Sequence, residues 1–300
     1  MTERTPKTVE EYLEQLARAL RDADPALRQD ALYDAEEYLR AEVAGNAGRP
    51  VSEVIAGIVS SYGAPEEVAE VYRQTEETVA RAMRTPQPAR RSSLPGRFFG
   101  VYADPRAYTS LFYMLLAMAT GVFYFTWAVT GFSLSLGLMI TIFGLPLAII
   151  FIGSTRLLSL VEGRIVETLL GVRMPRRPIY PANPESGVIE RIKAMLTDVR
   201  TWSTMLYMLL MLPLGIAYFV FSFTTLTVAA TLVLAPLAVL FGWDADVIYW
   251  NGPVVFGDWD IVFYPLIGIL LLTVSMHIYR GVGTLQGRIA HGLLVKVAAR

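Results

Sequence analysis

Three hundred residues with 54% hydrophobic and only 18% charged side chains fall well short of the roughly 25% charge of an ordinary soluble domain. The net charge of −1 hides a split: residues 1–83 carry 9 Lys/Arg against 17 Asp/Glu, whereas 84–300 carry 17 against 10. A single soluble globule and a disordered chain are excluded, and the lack of any cysteine excludes disulfides, thiolate nucleophiles and cysteine-bound metals.

The N-terminus is polar and acidic, with no basic-then-apolar signal peptide. A first helix is predicted over about 8–22, with Tyr12, Leu13, Leu16 and Leu20 on one face. Asp24-Pro25 supplies an N-cap and a first-turn proline for a second helix carrying Leu27, Ala31, Ala35, Tyr38, Leu39 and Val43. Gly45 to Gly48 ends it, and a third helix follows Pro50 with Val54, Ile55, Ile58 and Val59 before stopping at Gly63. Ala64-Pro65-Glu66-Glu67 opens a fourth, with its acids at the positive end of the helix dipole. Residues 1–83 are thus expected to form a small cytoplasmic helical bundle whose core is marginal by itself. Its net charge of −8 opposes docking on anionic lipid or nucleic-acid phosphates. An acidic surface at Asp34, Glu36, Glu37 and Glu42 is the candidate contact for a basic protein partner, beside the plainer reading of a solvated helix face.

The order Tyr12-Leu13, Leu16, Leu20, Pro25 and Arg28 to Leu39, followed by Ile55 to Gly63 and Pro65 to Ala69, resembles the HAAS signalling domain over about residues 8–75. That resemblance implies a cytoplasmic helical module, often encoded near PadR-type repressors, and so a PadR-type regulator as candidate partner. Residues 84–106 read as a basic linker and pre-membrane segment, semi-flexible around Thr85 to Pro88.

From Ala107 to Thr155, Thr201 to Trp243 and Ile261 to Tyr279 there is no Asp, Glu, Lys or Arg. About 20 apolar residues cross a bilayer as a helix, so 107–300 is read as a multi-span membrane domain. Spans are predicted at about 108–130, 132–154, 203–224 and 260–279, with the first two turning near Thr130 to Ser133. A shorter piece at 226–241, interrupted at Ala235-Pro236, reads as re-entrant or interfacial. Basic residues gather before the first span, between the second and third, and after the last, while 242–260 carries four aspartates and no base. The positive-inside rule then places both termini in the cytoplasm and 242–260 outside, in a multi-pass protein of the bacterial cell membrane.

An internal repeat supports that parity. A shift of 94 residues brings Asp104, Arg106, Tyr113 to Leu116, Gly121 and Tyr124-Phe125 onto Asp198, Arg200, Tyr207 to Leu210, Gly215 and Tyr218-Phe219, nine identities in 22 positions. A shift of 124 brings Arg156, Gly163 to Ile165 and Leu169-Leu170 onto Arg280, Gly287 to Ile289 and Leu293-Leu294. The repeat is parallel, with the 30-residue difference an insertion in the second half. Each span is expected to run out into an amphipathic helix along the inner interface, where Arg156, Arg164, Arg280 and Arg288 reach lipid phosphates. The run Arg173 to Pro178 reads as a linker that also touches anionic lipid.

Gly144 to Leu147, Glu162 to Arg164 and Leu169 to Val172 make residues 97–295 similar to the membrane sensor domain found ahead of kinase modules in actinobacterial sensor histidine kinases. The chain closes at Arg300 with no phosphoacceptor-histidine segment or ATP-binding domain, so kinase activity is not carried over.

The sequence holds no phosphate-binding lysine loop, no nucleophile elbow and no zinc-protease helix. No cofactor is expected. Of the two histidines, His277 lies near the cytoplasmic end of the last span, as a neutral interfacial group or a pH-sensing one. Asp244, Asp246, Asp258 and Asp260 would suit Ca²⁺ or Mg²⁺ if 242–260 folds back as a hairpin, against the plainer reading that they keep the loop solvated. The resulting expectation is an all-α, two-part, non-enzymatic membrane sensor relaying a membrane or external state to a cytoplasmic partner. The alternative is a small permease or transporter subunit, and a homo-oligomer is a further candidate assembly. Spans without Asp, Glu, Lys or Arg argue against an ion pathway.

Overall fold

The computed structural model describes residues 5–82, 93–141, 143–177, 197–241 and 259–295. Among these, the regular elements are all helical. Thr8 opens α1 (Val9–Ala19) by accepting the Glu11 backbone N–H at 3.1 Å. Asp24 does the same for α2 (Pro25–Gly45) through the Ala26 N–H at 2.8 Å. Such a cap contributes about 1 kcal/mol. Then come α3 (Val51–Ser61) and α4 (Pro65–Ala82), the latter opened by the Glu67 carboxylate on the Ala64 N–H at 3.0 Å. The apolar stripes of these four helices meet in one core that includes Tyr12, Leu16, Leu20, Leu39 and Ile55. The Tyr12 hydroxyl donates to the Gly63 carbonyl at 2.9 Å, which fixes the turn before α4 to α1.

After the short α5 (Leu94–Phe99) and a 3-10 turn (Gly100–Ala103) come four long helices: α6 (Pro105–Gly137), α7 (Gly144–Leu170), α8 (Val199–Leu240) and α9 (Asp260–Leu294). All four are long and apolar enough to cross a membrane. Their outward side chains, such as Phe112, Ile150, Phe223 and Leu266, are large and exposed, as lipid-facing residues must be.

Three predicted boundaries are corrected. The expected turn at 130–133 lies inside α6, and the chain turns instead after Gly137, before α7 begins at Gly144. Gly131 is a packing position: a Cβ there would lie 2.2 Å from the Phe151 ring. Gly144 is the turn residue, since a Cβ on it would fall 2.2 Å from the Leu138 carbonyl oxygen. The amphipathic exits are likewise continuous with their spans, within α7 and α9. Finally, 226–241 is not a separate piece. α8 runs unbroken for 42 residues through Pro213 and Pro236, a length of about 63 Å against roughly 30 Å of hydrocarbon.

The chain packs as two compact units. Among the described residues, one holds the four N-terminal helices with 130–177, 197–207 and 288–295. The other holds 93–129, 208–241 and 259–287.

Candidate functional site

In the first unit α7 ends at Gly171, whose φ of +69° is readily adopted only by a residue without Cβ, and whose N–H bonds back to the Glu167 carbonyl at 3.1 Å. The chain then lies against the N-terminal bundle. Asp30 is the centre of that contact. It falls on the buried stripe of α2, between Leu27 and Ala31, where an apolar residue would be expected. Its Oδ1 accepts the backbone N–H groups of Arg176 (2.6 Å) and Arg177 (2.8 Å), and its Oδ2 meets the Arg173 guanidinium at 3.0 Å. Burial pushes the Asp30 carboxyl up, outweighing the pull of those N–H groups and of Arg173 and Arg176 in the other direction.

The remaining contacts surround this carboxylate. Arg173 also reaches Glu76 and Glu167, each at 3.1 Å, and so ties α4 and α7 to the same guanidinium. Arg176 meets Glu167 at 3.1 Å, and Arg177 meets Asp34 at 2.9 Å while its guanidinium lies over the Tyr33 ring. Asp34 in turn accepts from the Tyr72 hydroxyl at 3.1 Å, and burial together with the Asp34 charge pushes that phenol up. Gln29 spans two segments: its amide donates to the Arg177 carbonyl and accepts from Arg200 of α8, both at 2.8 Å. Glu162, 1% exposed, accepts from the Tyr207 hydroxyl at 2.8 Å, joining α7 to α8. Beside it, the open face of Gly163 is covered by the fully buried Met174. Contacts therefore run without a gap from the α7–α8 pair through Met174 and Arg173 to Asp30.

Each unit also carries one copy of a shared pattern. In the first, Asp198 caps α8 through the Arg200 N–H (3.1 Å) and pairs with Arg156 at 3.2 Å. In the second, Asp104 caps α6 through the Arg106 N–H (3.0 Å) and pairs with Arg280 at 3.1 Å. Where the first unit has Glu162 on Tyr207, the second has Gln286 between Tyr113 (3.2 Å) and Tyr218 (3.0 Å). A Cβ on Gly121 would lie 2.3 Å from the Met211 carbonyl oxygen, and one on Gly215 would lie 2.3 Å from that of Ala117.

The candidate residues are dispersed over the molecule. Asp34 belongs to the contact around Asp30, Glu36 pairs with Arg40 at 2.9 Å, Glu37 is exposed and Glu42 is half-buried. Arg156 and Arg280 hold the capping aspartates, Arg164 pairs with Glu167 at 2.8 Å, and Arg288 is exposed. Asp244, Asp246 and Asp258 lie outside the described residues, and Asp260 stands in the first turn of α9. Among the described residues no group of three or more metal-ligating side chains converges. The Nε2 of His277 lies 2.9 Å from the Phe98 carbonyl, with the Phe98 ring stacked on the imidazole. Asp30, Gln29, Glu76 and Glu167 were not singled out from sequence. The one signal for them was an acid at a stripe position of α2.

The family model described as "Putative sensor" matches residues 113–294, and that of the HAAS domain matches 11–71. The chain belongs to this sensor family. It joins a HAAS domain to the sensor domain, both signalling modules, in one membrane protein. Neither the curated proteins nor the solved structures compared with it give a match.

Proposed function

We propose that this chain is a non-enzymatic membrane sensor whose HAAS domain passes a change in the membrane domain to a cytoplasmic protein partner. The observation that carries the proposal is the capture of two backbone N–H groups and one guanidinium from the 171–177 segment by the buried Asp30. The segment is the direct continuation of a membrane helix, so a shift of α7 against α8 at Glu162 and Tyr207 pulls on the HAAS domain through it. Differential packing of this kind is what a signal must alter to move a two-state equilibrium. In this proposal both termini are cytoplasmic, and the membrane half is a duplicated unit. The matched aspartate–arginine, tyrosine–carboxamide or carboxylate, and glycine contacts support that duplication.

Asp30→Ala tests it. The substitution strands two N–H groups and leaves Arg173 short of one carboxylate, and breaking a buried pair from one side costs about 3–5 kcal/mol. In the full chain in nanodiscs, hydrogen exchange of the Arg176 and Arg177 amides should accelerate by at least tenfold while the amides around Leu16 stay protected. Unchanged exchange would remove the Asp30 latch on the 171–177 segment, and the relay with it.

A further inference from the structure

A cavity of about 370 Å³ opens between the HAAS domain and the latch segment. Its walls hold the carboxylates of Asp30, Asp34 and Glu76 with Tyr72 on the side of the N-terminal bundle, and Arg164, Arg173, Arg176 and Arg177 from the end of α7 and beyond. Four guanidinium groups around one space at the end of a membrane helix make an unusual concentration of phosphate-binding chemistry. Arg173 is committed elsewhere: its Nη atoms donate to Asp30, Glu167 and the Met174 carbonyl, and its buried Nε forms an ion pair with Glu76 at 3.1 Å without a hydrogen bond. Arg164, Arg176 and Arg177 are held less completely. Each guanidinium has five N–H donors, and each of these three meets its carboxylate through one nitrogen: Nη1 of Arg164, Nη2 of Arg176 and Nε of Arg177. Their side chains are 48%, 36% and 52% exposed.

We infer that this cavity binds a phosphate group, as carried by an anionic lipid headgroup, and that the phosphate competes with Asp34 for Arg177 and with Glu167 for Arg164 and Arg176. Charge favours the exchange: a phosphate oxygen pair meets a guanidinium fork with two parallel bonds, where each carboxylate now makes one. Asp34 holds Arg177 through Oδ1 as an ion pair without a hydrogen bond, and its other oxygen, Oδ2, keeps the Tyr72 hydroxyl at 3.1 Å when Arg177 leaves. The location favours lipid, since α7 ends at Leu170 and the arginines lie within seven residues of that end, where basic side chains reach headgroups. Binding there draws Arg177 away from Asp34 of the HAAS domain, and with it the Arg176–Arg177 backbone that Asp30 holds, which loosens the latch.

The inference rests on the latch reading, and the test separates the two. Full-length protein is placed in nanodiscs of phosphatidylcholine alone, of phosphatidylcholine with phosphatidylglycerol, and of phosphatidylcholine with inorganic phosphate added to the buffer. Hydrogen exchange of 171–177 is then followed in each. Phosphatidylglycerol should accelerate that exchange at least threefold in the wild type and leave it unchanged in Arg176→Gln/Arg177→Gln, with the Leu16 core protected in both proteins. The same acceleration with inorganic phosphate in neutral discs would support the phosphate site and assign its source to solution. No acceleration with either anion overturns the inference, while acceleration by Asp30→Ala in neutral discs would leave the latch standing. Equal acceleration by phosphatidylglycerol in the double variant also overturns it, because the effect would then not pass through these arginines.

Discussion

On α7, Arg156 pairs with Asp198 and Glu162 with Tyr207; on α9, Arg280 pairs with Asp104 and Gln286 with Tyr113 and Tyr218. The two sets use residues related by the same sequence shifts of 94 and 124, and both aspartates also cap the helix they begin. They differ in the chemistry of one buried position and in the chain beyond it. The first set has a carboxylate where the second has a carboxamide, and only the first is described running on into a segment held by the HAAS domain. In the proposed relay, the α9 exit would keep the fold and the α7 exit would carry the output.

The largest expected effect tests the shared scaffold. Gly121→Ala and Gly215→Ala each place a Cβ 2.3 Å from a backbone carbonyl oxygen that has no side-chain freedom to retreat. Each should cost about 3 kcal/mol by forcing the helices apart. Gly281→Ala meets nothing within 4 Å and should gain up to about 1 kcal/mol from helix propensity. Thermal unfolding of the full chain in detergent measures all three, and a large drop for only one of the first two breaks the comparison.

The modified position comes next. Gln286 donates through Nε2 to Tyr113 and accepts through Oε1 from Tyr218, so Gln286→Glu replaces a donor by an acceptor and should cost about 1–3 kcal/mol. Glu162→Gln retains the acceptor that Tyr207 needs and should cost about 1 kcal/mol or less. If both substitutions destabilise equally, the two positions are not distinguished by their chemistry.

Much of this could be read from the sequence, for identifiable reasons. Capping and breaking residues act locally, so Asp24-Pro25, Pro50 and Gly63 marked the N-terminal helices closely. Apolar runs located the four membrane helices but not their ends, because Thr130 to Ser133 has turn composition while Gly131 is used for packing against Phe151. Pro236 signalled a break that α8 does not make, since a membrane helix can absorb one lost backbone bond. The latch was hidden because it joins Asp30 to residues more than 140 positions away. Nothing short of tertiary structure pairs the acid in α2 with the run after Gly171, which by sequence reads only as a basic linker.

A smaller effect separates the latch from the matched aspartates outside it. The Asp30 carboxyl lies above its ordinary value of 3.8 because burial outweighs its partners. A group raised in the folded state contributes stability that is complete below the free value and is lost as pH rises through the folded one. Acidification from neutral toward pH 4 should therefore not open the latch at Asp30. Corrected for intrinsic rates, exchange at Arg176 and Arg177 should slow or hold steady over that range, and Asp30→Asn should remove the dependence. Faster exchange on acidification would reverse the assigned balance of burial against pairing.

The smallest effect concerns the outer face of α2, where the latch does not reach. Glu36 is already paired with Arg40, so reversing it would disturb a contact as well as a charge. Glu37 is exposed and Glu42 half-buried, and they suit the test better. Glu37→Lys and Glu42→Lys should shift stability by no more than about 0.5 kcal/mol, as surface changes usually do. Glu42→Lys also places a cation near the negative end of α2, which offsets part of any loss. If this face meets a basic cytoplasmic protein, the double reversal turns two attractions into repulsions and should weaken capture of that partner at least tenfold at low salt, with the deficit shrinking as salt rises. A PadR-type regulator is the partner to try first. Equal capture by the wild type and a folded double variant would assign Glu37 and Glu42 to solvent and leave the latch, rather than this face, as the route out of the membrane.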